Sequence, residues 1–206
     1  MKGVQGVVIS DKKCKWMLFA DYLLALLISV LGFMVFSWML SSLSGAFLYS
    51  VVMSLVFFGL VYSRCWKKAR SDLKYQEAKK IGDILKLIAP ITIVFLIVIA
   101  IFALIKYNII PIRDIVTDVR YVIEDNQPRQ KVEIFLYDSF VQAYRLIFLF
   151  LLGLHPQDDV SVLALLIAPM FCVLGGISGY YAGLKNFYFT SFIDKTGKKV
   201  KDKFNE

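Results

Sequence analysis

Three polar side chains share one face of an apolar segment in the second half of the chain. Asp138, Gln142 and Arg145 are spaced i, i+4 and i+7, so a helix would place them on one side. An arginine at the centre of a bilayer costs at least ~2.5–3.5 kcal/mol, so this face should avoid lipid. Two alternatives follow. The three residues form an internal polar network that fixes packing, or they line a path for a solute.

A second pattern consists of small residues in the last apolar segment. Gly175, Gly179 and Gly183 recur every four residues. Because lipid gives no hydrophobic drive for helix association, glycines at this spacing are typical of tight helix contacts. The sequence therefore predicts a close contact on this glycine face, either within the chain or with a partner.

The sequence does not contain the patterns of a metal or hydrolytic site. It has three cysteines and one histidine, and no two cysteines have the spacing of metal ligands. Nucleophile-elbow, zinc-protease and phosphate-loop motifs are absent from the sequence. We expect no catalytic residue, no metal and no cofactor.

The elements that hold these residues are apolar and long. The 206 residues are 58% hydrophobic and only 19% charged, and the mean hydropathy is +0.65. This composition predicts an all-α, polytopic membrane helical bundle. The predicted transmembrane domain covers 17–184, and its spans are about 17–40, 45–63, 87–105 and 162–184.

Two further helices are predicted between the third and the last span. The apolar residues of 111–125 follow helical spacing, which predicts an amphipathic surface helix. Residues 131–154 carry the polar face and are predicted to form a re-entrant or slanted helix. The alternative is a fifth full crossing.

Lysine and arginine are concentrated in three regions, which hold 18 of the 24 basic residues: the tail 1–16, the connection 64–86 and the tail 185–206. Basic residues favour the cytoplasmic side. All three regions therefore prefer the cytoplasm, which requires four crossings. Four basic residues mark the predicted cytoplasmic loop after the second span: Arg64, Lys67, Lys68 and Arg70. Because the +8 net charge flanks apolar runs, a nucleic-acid partner is not expected.

Two regions resemble a known group of proteins. One is "YSRCWKKARSD", with Tyr62, Trp66, Arg70 and Asp72, and the other is "AYRLIFLFLLGL" together with "GGISGYYAGLKNF". These motifs are similar to an uncharacterised family of small multi-spanning membrane proteins of Gram-positive bacteria, over about two-thirds of the chain. The resemblance implies a bacterial cytoplasmic membrane and no particular activity.

The leading functional hypothesis is a non-enzymatic membrane subunit or scaffold. Its partners would be the lipid bilayer and, through the glycine face, other membrane-protein subunits or further copies of the chain. The alternative is a small transporter or channel component with a polar path along Asp138, Gln142 and Arg145. Both hypotheses predict a multi-pass protein of the cell membrane with cytoplasmic termini.

Overall fold

A computed structural model describes residues 10–75, 79–112, 115–122, 130–154 and 160–185. In chain order the elements are α1 (Asp11–Leu40), α2 (Leu43–Lys74), α3 (Ile81–Lys106), β1 (Val116–Val122), β2 (Gln130–Phe135), α4 (Leu136–Ile147), a 3-10 segment (Leu149–Leu154), α5 (Val162–Leu165) and α6 (Ile167–Leu184).

Four helical segments are long and apolar enough to cross a membrane: Asp11–Trp38, Leu43–Lys74, Ile81–Lys106 and Val162–Leu184. At a rise of ~1.5 Å per residue, even the shortest exceeds the ~30 Å of a bilayer's hydrocarbon core. The predicted class, a helical membrane bundle, is confirmed. The first three spanning helices begin earlier or end later than the apolar runs alone suggest, whereas the fourth has the predicted bounds. The basic residues predicted as a loop, Arg64 to Arg70, belong to α2.

The predicted surface helix over 111–125 is wrong. Val116–Val122 is a strand, and it pairs antiparallel with Gln130–Phe135. Valine, threonine and tyrosine fill this strand, and these residue types fit an extended pleated chain better than a helix. Valines spaced by three residues satisfied the helical pattern, but the hydrogen bonds to β2 stabilise the extended form.

The predicted helix over 131–154 is divided into three parts. Its first residues belong to β2, and α4 begins only at Leu136. The 12 residues of α4 extend about 18 Å, which is too short to cross a bilayer. The chain then continues as the 3-10 segment. This division agrees with the expectation of four crossings rather than five.

The chain forms two compact units. The first unit contains residues 10–22, 58–75, 79–91 and 171–185 of the described chain, and the second contains 23–57, 92–112, 115–122, 130–154 and 160–170. The first unit has a core of aliphatic residues and buried thiols from α1, α2, α3 and α6, including Leu18, Cys65 and Ile88.

An aromatic cluster fills the core of the second unit. The ring of Phe57 on α2 lies 5.0 Å from that of Phe150 and 6.0 Å from that of Phe95, measured between centroids. Phe148 lies 5.8 Å from Phe95. Phe148, Phe150 and Leu151 are fully buried. The apolar end of the segment that carries the polar face therefore packs against protein.

Candidate functional site

Five residues in the first unit form a closed circuit of polar contacts, which we call the ionic ring: Asp11, Lys68, Asp72, Lys79 and Tyr180. Asp11 is the first residue of α1, and Lys68 and Asp72 lie one turn apart on α2. Lys79 precedes α3, and Tyr180 lies in the last turns of α6. The ring therefore joins segments that are far apart in sequence.

The ring closes through two lysines, two carboxylates and one phenol. The Lys68 ammonium donates to Asp72 and also lies 3.0 Å from Asp11 Oδ1. The Lys79 ammonium lies 2.9 Å from Asp11 Oδ2. The Tyr180 hydroxyl donates to Asp72 Oδ2 over 2.9 Å and accepts the Lys79 backbone N–H over 3.0 Å. Two positive and two negative charges make the ring neutral.

Burial is uneven around the ring. The side chains of Lys68 and Asp72 are 5% and 3% exposed, whereas that of Asp11 is 51% exposed. Tyr180 is fully buried. A buried charge is stable only when it is paired and hydrogen-bonded, so Lys68 and Asp72 depend on each other. Asp11 is therefore the ring member whose side chain is most exposed to the surroundings.

A second ion pair in the same unit joins Asp21 of α1 to Arg64 of α2. The guanidinium donates from Nε to Oδ2 over 2.7 Å and from Nη2 to Oδ1 over 2.6 Å. This two-pronged geometry is the strongest form of an arginine–carboxylate contact.

The pair between Asp21 and Arg64 was not predicted, although the sequence contains a signal for it. Asp21 lies 20 residues before Ser41, and Arg64 lies 20 residues after Ser44. In an antiparallel hairpin, residues equally far from the turn lie at similar depth, so these opposite charges can meet. The i, i+4 spacing of Lys68 and Asp72 was a second signal.

The glycine face packs against α2 within the first unit. A Cβ atom on Gly175 would lie 3.3 Å from the Phe58 carbonyl oxygen, and one on Gly183 would lie 2.7 Å from that of Trp66. A Cβ atom on Gly179 would overlap the backbone of Tyr62. The predicted close contact exists and lies within the chain. Binding of another membrane protein by the glycine face stays a prediction.

The polar face of α4 lies in the second unit. Asp138 and Gln142 are exposed, and Arg145 is half-buried. The buried side of α4 carries Val141 and Tyr144 instead. The Tyr144 hydroxyl donates to the Val98 carbonyl over 2.8 Å. Burial raises the pKa of the Tyr144 phenol above its usual value. The exposed Asp138 and Gln142 thus lie on a different side of α4 from the buried Tyr144.

The 3-10 segment is held by serines of α2. The Ser54 hydroxyl donates to the Phe150 carbonyl over 3.2 Å, and the Gly153 N–H donates to the Ser50 hydroxyl over 2.5 Å. A Cβ atom on Gly153 would overlap the backbone of Ala46. These hydrogen bonds hold the irregular backbone of the segment against α2.

Comparisons with protein-family models, curated proteins and solved structures gave no match. The resemblance to Gram-positive membrane proteins stays a prediction.

The described residues contain no group of three or more histidine, cysteine, aspartate or glutamate side chains that could hold a metal ion. The cysteines, Cys14, Cys65 and Cys172, are free and buried. Of the four basic residues predicted as a cytoplasmic loop, Arg64 forms a partly buried ion pair and Lys68 a buried one, whereas Lys67 is exposed and Arg70 half-buried. Buried ion pairing is therefore the main chemistry of the first unit.

Proposed function

We propose that this integral membrane protein is a non-enzymatic subunit or scaffold, and that it binds another membrane protein through its α4 polar face. The observation that carries this proposal is the arrangement of α4. Tyr144 anchors the helix to α3 through a ring contact of 4.5 Å with Phe102 and a hydrogen bond to Val98. Asp138 and Gln142 remain exposed. A fixed helix that displays polar groups is suited to a selective polar contact.

The adjoining hairpin supports the same proposal. β1 and β2 form a two-stranded sheet in the described part of the chain. An extended partner segment can add a strand to the edge of a sheet. A two-stranded hairpin is only marginally stable alone, so a partner strand would also stabilise it.

The proposed location is the bacterial cytoplasmic membrane, with both termini in the cytoplasm. The three basic regions support this orientation. In this orientation α4 and the hairpin lie on the outer side. The partner would then be recognised outside the cytoplasm, and it is either a different membrane protein or a second copy of this chain.

Site-specific photocrosslinking in intact cells tests the proposal. A photoreactive phenylalanine analogue at Gln142 should give a crosslinked species of defined mass, and Asp138→Lys should abolish it. The same analogue at Ile97, an exposed apolar residue of α3, is the matched control and should give lipid adducts only. The proposal fails if Gln142 gives only uncrosslinked monomer, or if Asp138→Lys leaves the crosslink unchanged.

A second candidate function is a small transporter or channel component. The ion pair between Asp21 and Arg64 favours it, because ionisable groups in spanning helices often mark ion or proton pathways. Asp138, Gln142 and Arg145 would line a polar path of their own in the second unit. This candidate predicts that Asp138→Asn and Arg145→Met change solute flux into proteoliposomes. Unchanged flux of every tested solute in both variants would exclude it.

A further inference from the structure

We propose that the ionic ring is a binding site for the phosphate group of an anionic membrane lipid, and that Asp11 is a built-in competitor for this site. The Asp11 carboxylate gives one oxygen to Lys68 and the other to Lys79, at 3.0 and 2.9 Å. Two oxygens of a lipid phosphate can replace the two carboxylate oxygens, because a lysine ammonium donates to either kind of anion.

Charge complementarity specifies the ligand. Without Asp11, the remaining ring contains Lys68, Lys79 and Asp72, and its net charge is +1. One singly charged anion restores neutrality, and a phosphodiester carries this charge. Asp72 stays in place because the Tyr180 hydroxyl and the Lys68 ammonium both bind it. Lys68, one of the two lysines that would bind the phosphate, is therefore already held in position by Asp72.

The position of the ring suits a lipid. Its members come from the beginning of α1, the last turns of α2 and α6, and the residues just before α3. Ends of spanning helices lie at the depth of lipid headgroups. Asp11 begins α1 and is half-exposed, and first residues of helices fray readily. Asp11 can therefore leave the ring while its buried members remain paired.

Native mass spectrometry of the full-length protein in detergent measures the binding. Phosphatidylglycerol is titrated against the wild type and Asp11→Asn. Removing the competitor should raise the affinity about tenfold, which lies between the effects of one and of two lysine–headgroup contacts. Adding Lys79→Gln to Asp11→Asn should remove most of this gain. Asp83→Asn breaks the exposed pair with Lys86 and is the matched control, with no expected change in affinity.

The lipid titrations distinguish the sources of phosphate. Phosphatidylcholine, whose phosphate is neutralised by its own choline, should bind Asp11→Asn more weakly than phosphatidylglycerol. If inorganic phosphate displaces phosphatidylglycerol at equal concentration, the ligand is free phosphate and the lipid assignment is wrong. If Asp11→Asn and Asp83→Asn bind phosphatidylglycerol alike, the proposal is wrong. If Asp11→Asn does not fold, Lys79→Gln alone decides the question: it should lower phosphatidylglycerol binding about fivefold, and unchanged binding overturns the proposal.

Discussion

Replacing Asp21 by asparagine tests the energetic role of the ion pair with Arg64. Asparagine keeps the size of the side chain and one acceptor oxygen, but it removes the negative charge. The Arg64 side chain is 21% exposed and the Asp21 side chain 5% exposed, so both charges are largely removed from water. The remaining guanidinium would then be a nearly buried charge without its carboxylate.

The expected loss of unfolding free energy is about 3 kcal/mol. Breaking a buried ion pair by removing one partner costs ~3–5 kcal/mol. The lower end applies because Arg64 is partly exposed and its long side chain can extend towards the headgroups. A loss of ~3 kcal/mol lowers the folding equilibrium constant roughly a hundredfold.

Equilibrium unfolding by SDS in mixed micelles measures this loss. The double variant Asp21→Leu/Arg64→Met replaces the pair by apolar groups of similar size. It should be within about 1 kcal/mol of the wild type, because the desolvation cost of both charges disappears together. Asp83→Asn, from the exposed pair with Lys86, should change the unfolding free energy by less than ~0.5 kcal/mol. The reasoning is refuted if Asp21→Asn behaves like Asp83→Asn, or if the double variant is less stable than Asp21→Asn.

Three further predictions follow from close contacts and exposure. Gly179→Ala should lower the unfolding free energy by ~1–3 kcal/mol in the same assay, because the added methyl overlaps the backbone of Tyr62. Gly59→Ala places its methyl in open space, so it should be neutral or stabilising by up to ~1 kcal/mol. Equal effects of the two variants would contradict the close packing at Gly179. Gly153→Ala should loosen the 3-10 segment and speed amide hydrogen exchange there without affecting the first unit; unchanged exchange would contradict the close approach. Cysteines introduced at Thr117 and Lys74 should react with membrane-impermeant maleimide from opposite sides of the membrane. The background labelling should be low because the native thiols are buried. Labelling of both cysteines from the same side would contradict the proposed orientation.

The spans could be predicted from sequence because the signal is local. An apolar run of about 20 residues has few alternatives in a bilayer, whatever it contacts. The surface helix could not be predicted correctly, because the hydrogen bonds of Val116–Val122 go to a strand that begins eight residues after β1 ends. Residue spacing within 111–125 contains no information about that partner.

In the candidate site, too, local spacing could be predicted from sequence and tertiary contacts could not. The spacing of Asp138, Gln142 and Arg145 correctly predicted a shared side of a helix, since helical geometry alone sets it. It did not predict which side is buried, because Tyr144 selects that side through its contact with α3. The ionic ring was missed because its members lie in four separate segments of the sequence.

The sequence by itself determined the class of this protein, its four spanning helices and the close packing at the glycine face. These properties follow from the solvent and from residue size, which act on each segment separately. Only the tertiary structure decided the partners: α2 for the glycines, Arg64 for Asp21, and Asp11 for Lys68 and Lys79. The physical reason is that a buried charge, or a glycine on a helix, requires a neighbour of a certain kind but does not specify where in the chain that neighbour lies.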